Sequence, residues 1–408
     1  MALSNNNITK REKLALISLT LCFFVPSYNY YINEIFMLNF GRGSISAISY
    51  VFLAVIGLYS YTYLSRTNIK LVMLMGLAIL GMFVSYLLYP EIKDAFIDKD
   101  YNPLTSALLF LPLIAFPMMV LTNYLKNQST LILDYVRVPS LALIVLAIVD
   151  YYWTVIVNGH YFDVQYMSFS YFMLAATCLS FAYGMKRGRI LDILAAITGL
   201  VVILIVGARG CFVCGVTYIS LACIKRYSVS LKKTIIFLVF LVSIFLVLSS
   251  TFTSLSGNVL SYMNEHDATS RTLMKIDDGT FEESTGRDNI YKIMTNAIIE
   301  NPVGYGLMGD RYILWQHDNQ GYCHSIIYEF LVDYGVILGS ILLFILIGFL
   351  FIKLKKCIEL DQYYILAFLA VAGFVKLLFT GSYLGESYFW GLLGILFNNQ
   401  DDKIQITR

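Results

Sequence analysis

Charged side chains are scarce in this chain. Asp, Glu, Lys and Arg make up 14% of its 408 residues, where an ordinary soluble domain carries roughly 25%. This shortage excludes a solvated globular surface for most of the length. The net charge of +2 points to no partner, because in such a sequence the placement of charges matters more than their sum. Histidine is rarer still. His160, His266, His317 and His324 offer no HxxxH or comparable ligand spacing, so no metal site is expected. The seven cysteines lie mostly inside apolar runs, and only Cys323 borders a long polar stretch. They imply no disulfide framework. Cys211 and Cys214 form a CxxC with no second pair, which reads as helix packing. No repeat and no low-complexity segment stands out.

What the chain has in abundance is apolar length. It is 58% hydrophobic with a mean hydropathy of +0.69, and the apolar residues fall in blocks of about 16–20, long enough to cross a bilayer. The expected fold is therefore all-α, a polytopic membrane protein with about 12 transmembrane helices. Spans are drawn at 14–31, 45–64, 70–89, 104–122, 139–157, 167–185, 190–206, 211–224, 234–252, 334–352, 363–380 and 386–398. Pro112 and Pro117 are expected to kink the fourth. Lys10, Arg11 and Lys13 precede the first run, which lacks a small-residue cleavage site and reads as a retained anchor. With the N-terminus cytoplasmic, 19 of the 29 Lys and Arg residues fall in cytoplasmic segments, nine fall outside, and Lys376 is intramembrane. That excess sets the orientation and makes both termini cytoplasmic.

One connection is unlike the others. Residues 253–323 form a long polar extracytoplasmic loop between membrane segments 1–252 and 324–408, and loops of that length are usually functional or disordered. Within it, Ile290, Ile293, Met294, Ala297 and Ile298 make the stripe of an amphipathic helix near 286–300. Thr285 and Asp288 resemble a capping box at its start, and Asn301-Pro302 ends it.

The candidate chemistry gathers around this loop. Arg209, in Gly207-Ala208-Arg209-Gly210, lies at the outer end of a span, where a guanidinium either anchors at the interface or binds an anion such as phosphate. Arg287 falls in the first turn of the amphipathic helix, beside free amides and the positive end of its dipole. It is an anion site or a solvated surface arginine. Arg311, in Gly309-Asp310-Arg311-Tyr312, is a weaker candidate of the same kind. His324 closes the loop and is either an interfacial histidine or a general base toward a hydroxyl. Glu329 and Asp333 follow on the next helix, but neither is three or four residues from His324, so no dyad is implied. Lys376 and Glu386 are near-membrane charges that either pair with each other or support substrate binding. The literal GxGxxG of Gly304–Gly309 follows a helix and a proline rather than a strand, which argues against a dinucleotide site.

The order of these features is more specific than any one of them. Gly207–Gly210 is followed by Gly286-Arg287, then Asn301-Pro302-Val303-Gly304-Tyr305-Gly306, then a segment from His324 through Asp333-Tyr334-Gly335. This arrangement resembles the O-antigen polymerase and O-antigen ligase superfamily of bacterial surface-polysaccharide enzymes. Ala208 and Ser325 stand where the family pattern often has Ser and Asn. The resemblance implies an inner-membrane glycosyltransferase of the GT-C type that inverts the anomeric centre and needs no cofactor. Its substrates would be an undecaprenyl-diphosphate-linked glycan donor and a glycan acceptor, and its setting the membrane lipid. A chain-length regulator and a flippase would be partners, and nucleic acid would not. Carried onto this chain, the resemblance has Arg209 and Arg287 holding the diphosphate and His324 deprotonating or orienting the acceptor hydroxyl. Glu329, Asp333, Lys376 and Glu386 would support them. A polymerase of O-antigen or capsular repeat units is the favoured activity, with a ligase as the alternative. A transporter or flippase for the same lipid-linked sugars is the rival from another class. It would show two related halves with charges near the midplane, which this sequence does not.

Overall fold

In a bilayer core the backbone finds no water, so an apolar run satisfies its N–H and C=O groups within its own helix. The computed structural model describes residues 8–36, 42–88, 110–153, 166–206, 208–227, 287–317 and 321–397, and every regular element among them is helical. The chain is an all-α polytopic membrane protein. Its helices are α1 (Lys10–Phe36), α2 (Arg42–Ser60), α3 (Ile69–Leu88), α4 (Phe116–Leu125), α5 (Ser129–Tyr151), α6 (Tyr166–Arg187), α7 (Ile190–Val206) and α8 (Arg209–Arg226), then α9 (Arg287–Glu300), α10 (Gly309–Gln316), α11 (Ile326–Lys356), α12 (Leu360–Ala370) and α13 (Ser387–Leu396).

Each expected span overlaps one of these helices except 234–252, which lies outside the described residues. By length and apolarity alone, six helical runs among the described residues can cross a membrane, and Ile190–Val206 and Ser387–Leu396 are shorter apolar helices. The described parts of the expected fourth and fifth spans lie along one helical run, Leu111–Tyr151, broken by a 3-10 turn at Lys126–Gln128. The expected kink near Pro112 and Pro117 takes the form of a π-helical turn, Leu111–Ala115, feeding α4. The amphipathic helix runs from Arg287 to Glu300 and stops at Asn301-Pro302 as the sequence predicts, with Ile293, Met294 and Ala297 buried. Its proposed cap, Thr285, lies outside the described residues.

Helices pack closely where small residues let backbones approach. α13 lies against α4 at Gly394, whose hypothetical Cβ would meet the Met119 carbonyl oxygen at 2.4 Å. Thr122 donates to the Gly391 carbonyl at 2.9 Å, and the Asn123 amide donates to that of Gly394 at 2.8 Å. α6 forms the centre, packed on α5, α7 and α8. Long side chains at one surface pair off: Lys186 with Asp361 at 2.8 Å, Arg187 with Asp134 at 3.0 Å and Arg137 with buried Asp192 at 2.9 Å. The seven cysteines are free, and Cys211 and Cys214 are buried packing residues.

α11 is two helices joined at Gly335, whose φ of 77° and ψ of 170° break the hydrogen-bond ladder. The break frees the carbonyls of Val332 and Asp333, and the Asn301–Gly306 loop occupies it. Tyr305 N–H donates to Val332 at 2.8 Å, Gly306 N–H to Asp333 at 2.9 Å, and Val336 N–H returns to Pro302 at 2.9 Å. Gly304 and Gly335 meet with no room for side chains: a Cβ on Gly335 would lie 2.3 Å from the Val303 carbonyl oxygen. The Asn-Pro-x-Gly-x-Gly and Asp-Tyr-Gly sequences are thus two halves of one backbone clasp.

Candidate active site

The residues singled out by sequence meet at the N-terminal ends of α8 and α11, the start of α9, and the irregular segment after α12. That last segment is the organiser. α12 loosens into a π turn, Val371–Val375, then a 3-10 turn, Lys376–Leu378. This arrangement presents Phe379 and Thr380, both amides donating to the Lys376 carbonyl at 2.9 Å. Three candidates converge on them. Arg287 Nη1 donates to the Phe379 carbonyl, with Nη2 4.0 Å from Met167 Sδ. Thr380 Oγ1 lies 3.5 Å from His324 Nδ1. Gly210, next to Arg209, sits so close that a Cβ would be 2.8 Å from that of Phe379 and 2.7 Å from the Tyr171 hydroxyl.

Arg209 and Arg287 each open a helix, so each belongs to a first turn whose amides have no i−4 partner. No side chain caps α8, since the residue before Arg209 is Ala208. Both arginines are half-buried. Among the described residues Arg287 has no carboxylate within ion-pair distance, and its polar neighbours are the Phe379 carbonyl, the Met167 thioether and the Tyr291 hydroxyl.

His324 adopts a left-handed backbone, φ 58°, unusual for a residue with a Cβ. Its ring lies 4.4 Å from that of Tyr322. Burial, reinforced by the Arg287 charge and opposed by Asp310, pushes its pKa down to about 4. The imidazole is therefore neutral and proton-accepting at neutral pH.

Lys376 and Glu386 form an ion pair, the first of the two arrangements the sequence left open. The Lys376 ammonium also sits 5.2 Å from the centre of the Tyr171 ring, and Glu386 accepts from Tyr388 N–H at the start of α13.

Arg311 departs from expectation. It is buried, and Nη1 bonds Asp310 at 2.8 Å and Glu329 at 3.3 Å while Nη2 donates to Ser382 at 2.6 Å. A fork already engaged by two carboxylates does not fit the diphosphate ligand expected of it. Glu329 and Asp333 do not reach His324 through any recorded bond. Glu329 accepts from Ser382 and from Tyr383 N–H, and Asp333 accepts from the Tyr383 hydroxyl at 3.0 Å. Asp310, Glu329 and Asp333 each bring a ligand oxygen within 4.8 Å of the others, a grouping of the kind that holds a cation, and here the Arg311 guanidinium lies among them.

Sequence reasoning missed Phe379, Thr380 and Asp310. The available signal for the first two was the polar break Thr380-Gly381-Ser382 in an otherwise apolar stretch, with Gly381 at φ 88°.

The structure thus gathers Arg287, His324 and the Arg209–Gly210 helix start around Phe379 and Thr380 in a bundle of apolar helices. Residues 172–343 match the family model described as O-antigen ligase, so this stretch is similar to that family. The match takes in Arg209, Arg287, Arg311, His324, Glu329 and Asp333, and stops short of Phe379–Glu386. No curated protein and no solved structure matches the chain.

Proposed function

We propose that the protein polymerises undecaprenyl-diphosphate-linked oligosaccharide repeat units, acting as an inverting, metal-independent glycosyltransferase at the extracytoplasmic face of a bacterial inner membrane. The observation that carries this reading is the convergence of Arg287, His324 and the Arg209–Gly210 turn on Phe379–Thr380. It puts cationic, amide-rich helix starts beside a neutral base. That is what transfer from a diphosphate to a hydroxyl requires.

Arg209 and Arg287 bind the diphosphate through planar forks matched to its oxygens. The acceptor hydroxyl attacks the anomeric carbon from the opposite face, and its proton passes to His324. As the new C–O bond forms, the bond to the diphosphate breaks and its electron pair stays on the phosphate oxygen. The two guanidinium groups stabilise that developing charge. Because Arg287 depresses the His324 pKa, a bound diphosphate offsets the arginine and makes the histidine a stronger base once the donor is in place.

The family description itself favours a second reading, a ligase that passes the glycan to a different acceptor such as a lipid core. Both share the same site chemistry. An assay of purified protein with the lipid-linked repeat, with and without a lipid-core acceptor, separates them. A ladder of repeat multiples without added acceptor supports polymerase, product only with acceptor supports ligase, and unchanged donor mass refutes both.

A further inference from the structure

The buried Arg311 cluster ties together the backbone on both sides of the His324–Thr380 contact. On one side, Asp310 accepts from the amide of Cys323 at 3.1 Å, the residue before the left-handed His324. On the other, Glu329 accepts from Ser382 and from the Tyr383 amide, both just past Thr380, while Arg311 Nη2 reaches Ser382 directly. Asp333 holds the Tyr383 hydroxyl at 3.0 Å and lies two residues before the Gly335 break. Every carboxylate oxygen in the group thus meets an N–H or O–H donor: the guanidinium, three backbone amides and two hydroxyls.

Such a cluster is a poor way to gain stability, because apolar side chains of equal volume would pack the same helices without desolvating a guanidinium and three carboxyl groups. What it supplies is direction, since each bond fixes one backbone or hydroxyl position. We propose that Asp310, Arg311, Glu329 and Asp333 are positioning residues of the transfer site, with Arg311 locking the His324 segment to the 379–386 segment. They act through His324, Thr380 and the Phe379 carbonyl, and need not touch substrate. The inference rests on the reading of His324 as the acceptor's base.

The test uses full-length purified protein carrying Arg311→Lys, Asp310→Asn or Glu329→Gln, each checked for a folded state by its melting temperature. Three readouts follow: binding of undecaprenyl diphosphate, kcat and KM with the lipid-linked repeat, and the titration of His324 by NMR of histidine-labelled protein. The charged and polar groups facing that ring are Arg287 from α9, Asp310 from α10, Thr380 and neighbouring Tyr322. Arg311→Lys keeps undecaprenyl diphosphate binding while kcat falls about 10–100-fold, the scale of a misplaced reacting group. Asp310→Asn moves the His324 midpoint down, because the charge that opposes burial and Arg287 is gone.

Loss of undecaprenyl diphosphate binding in Arg311→Lys, as deep as in Arg287→Ala, overturns the proposal by making Arg311 a ligand. So does a lower melting temperature with kcat and the His324 midpoint unmoved, which is the mark of structure alone. If the wild-type protein transfers no glycan, the proposed function fails. The titration still decides the positioning role: a shifted midpoint in Asp310→Asn supports it, and an unmoved one overturns it.

Discussion

Arg287 and Arg311 are two arginines of one polar segment, and the structure treats them in opposite ways. Arg287 is half-buried at a helix start with a carbonyl, a thioether and a tyrosine hydroxyl for company. Arg311 is buried and embraced by Asp310 and Glu329. A guanidinium without a carboxylate keeps its charge and most of its donors for an incoming anion. One held by two carboxylates is already spoken for. The lesson is that partners, and not residue type or sequence neighbourhood, separate an arginine that binds substrate from one that builds the site.

That contrast breaks first at the diphosphate. Arg287→Ala or Arg209→Ala is expected to lower kcat/KM for the lipid-linked donor by about 10²–10³-fold, the loss typical of removing a group that stabilises developing charge. Arg287→Lys restores little, because a point charge lacks the bidentate fork. Wild-type turnover in Arg287→Ala would erase the distinction between the two arginines. Next in size is His324→Ala, for which a loss of about 10²-fold is expected from general-base removal, with donor binding retained. Full activity there removes His324 from the mechanism.

A structural variant sharpens the comparison from the other side. Gly335→Ala forces a Cβ into the Val303 carbonyl and a side chain into a left-handed backbone, with a strain of about 1–3 kcal/mol from the backbone alone. Its lower melting temperature should accompany lost activity, whereas Arg287→Ala should melt like wild type. Equal melting temperatures for Gly335→Ala and wild type would show that the clasp is not required.

The smallest effect is in pH. His324 works as a base only when unprotonated, and its pKa is pushed down to about 4 by burial and by Arg287. The acid limb of kcat/KM, which reports the free enzyme, should therefore fall near pH 4 and not near the ordinary histidine value. Neutralising the nearby cation with Arg287→Gln removes one cause of the depression, so the limb should move upward in the residual activity of that variant.

Much of the fold was legible because apolar length and helical periodicity are local signals. The amphipathic helix at Arg287–Glu300 and its stop at Asn301-Pro302 needed only spacings of three, four and seven residues. The arginines and the histidine stood out because charge is rare in this chain. What joins them was not legible. The Arg287–Phe379 bond spans 92 residues and uses a backbone carbonyl, which carries no residue signature. Arg311 looked like a ligand because its carboxylate partner Glu329 lies 18 residues away on another helix, beyond any helical spacing. The Gly304–Gly306 motif resembled a nucleotide loop by letter. Gly304 meets the Gly335 backbone and Gly306 lies against Ser85, which only the folded chain reveals.

The most direct test of the site is incubation of purified protein with undecaprenyl-diphosphate-linked repeat units in the presence of a chelator, with products resolved by gel and mass. The account predicts a ladder of repeat multiples from the wild-type protein and, in the same time, about 10²-fold less product from Arg287→Ala or His324→Ala. Donor left unchanged by folded wild-type protein, or wild-type amounts of product from either variant, would contradict it.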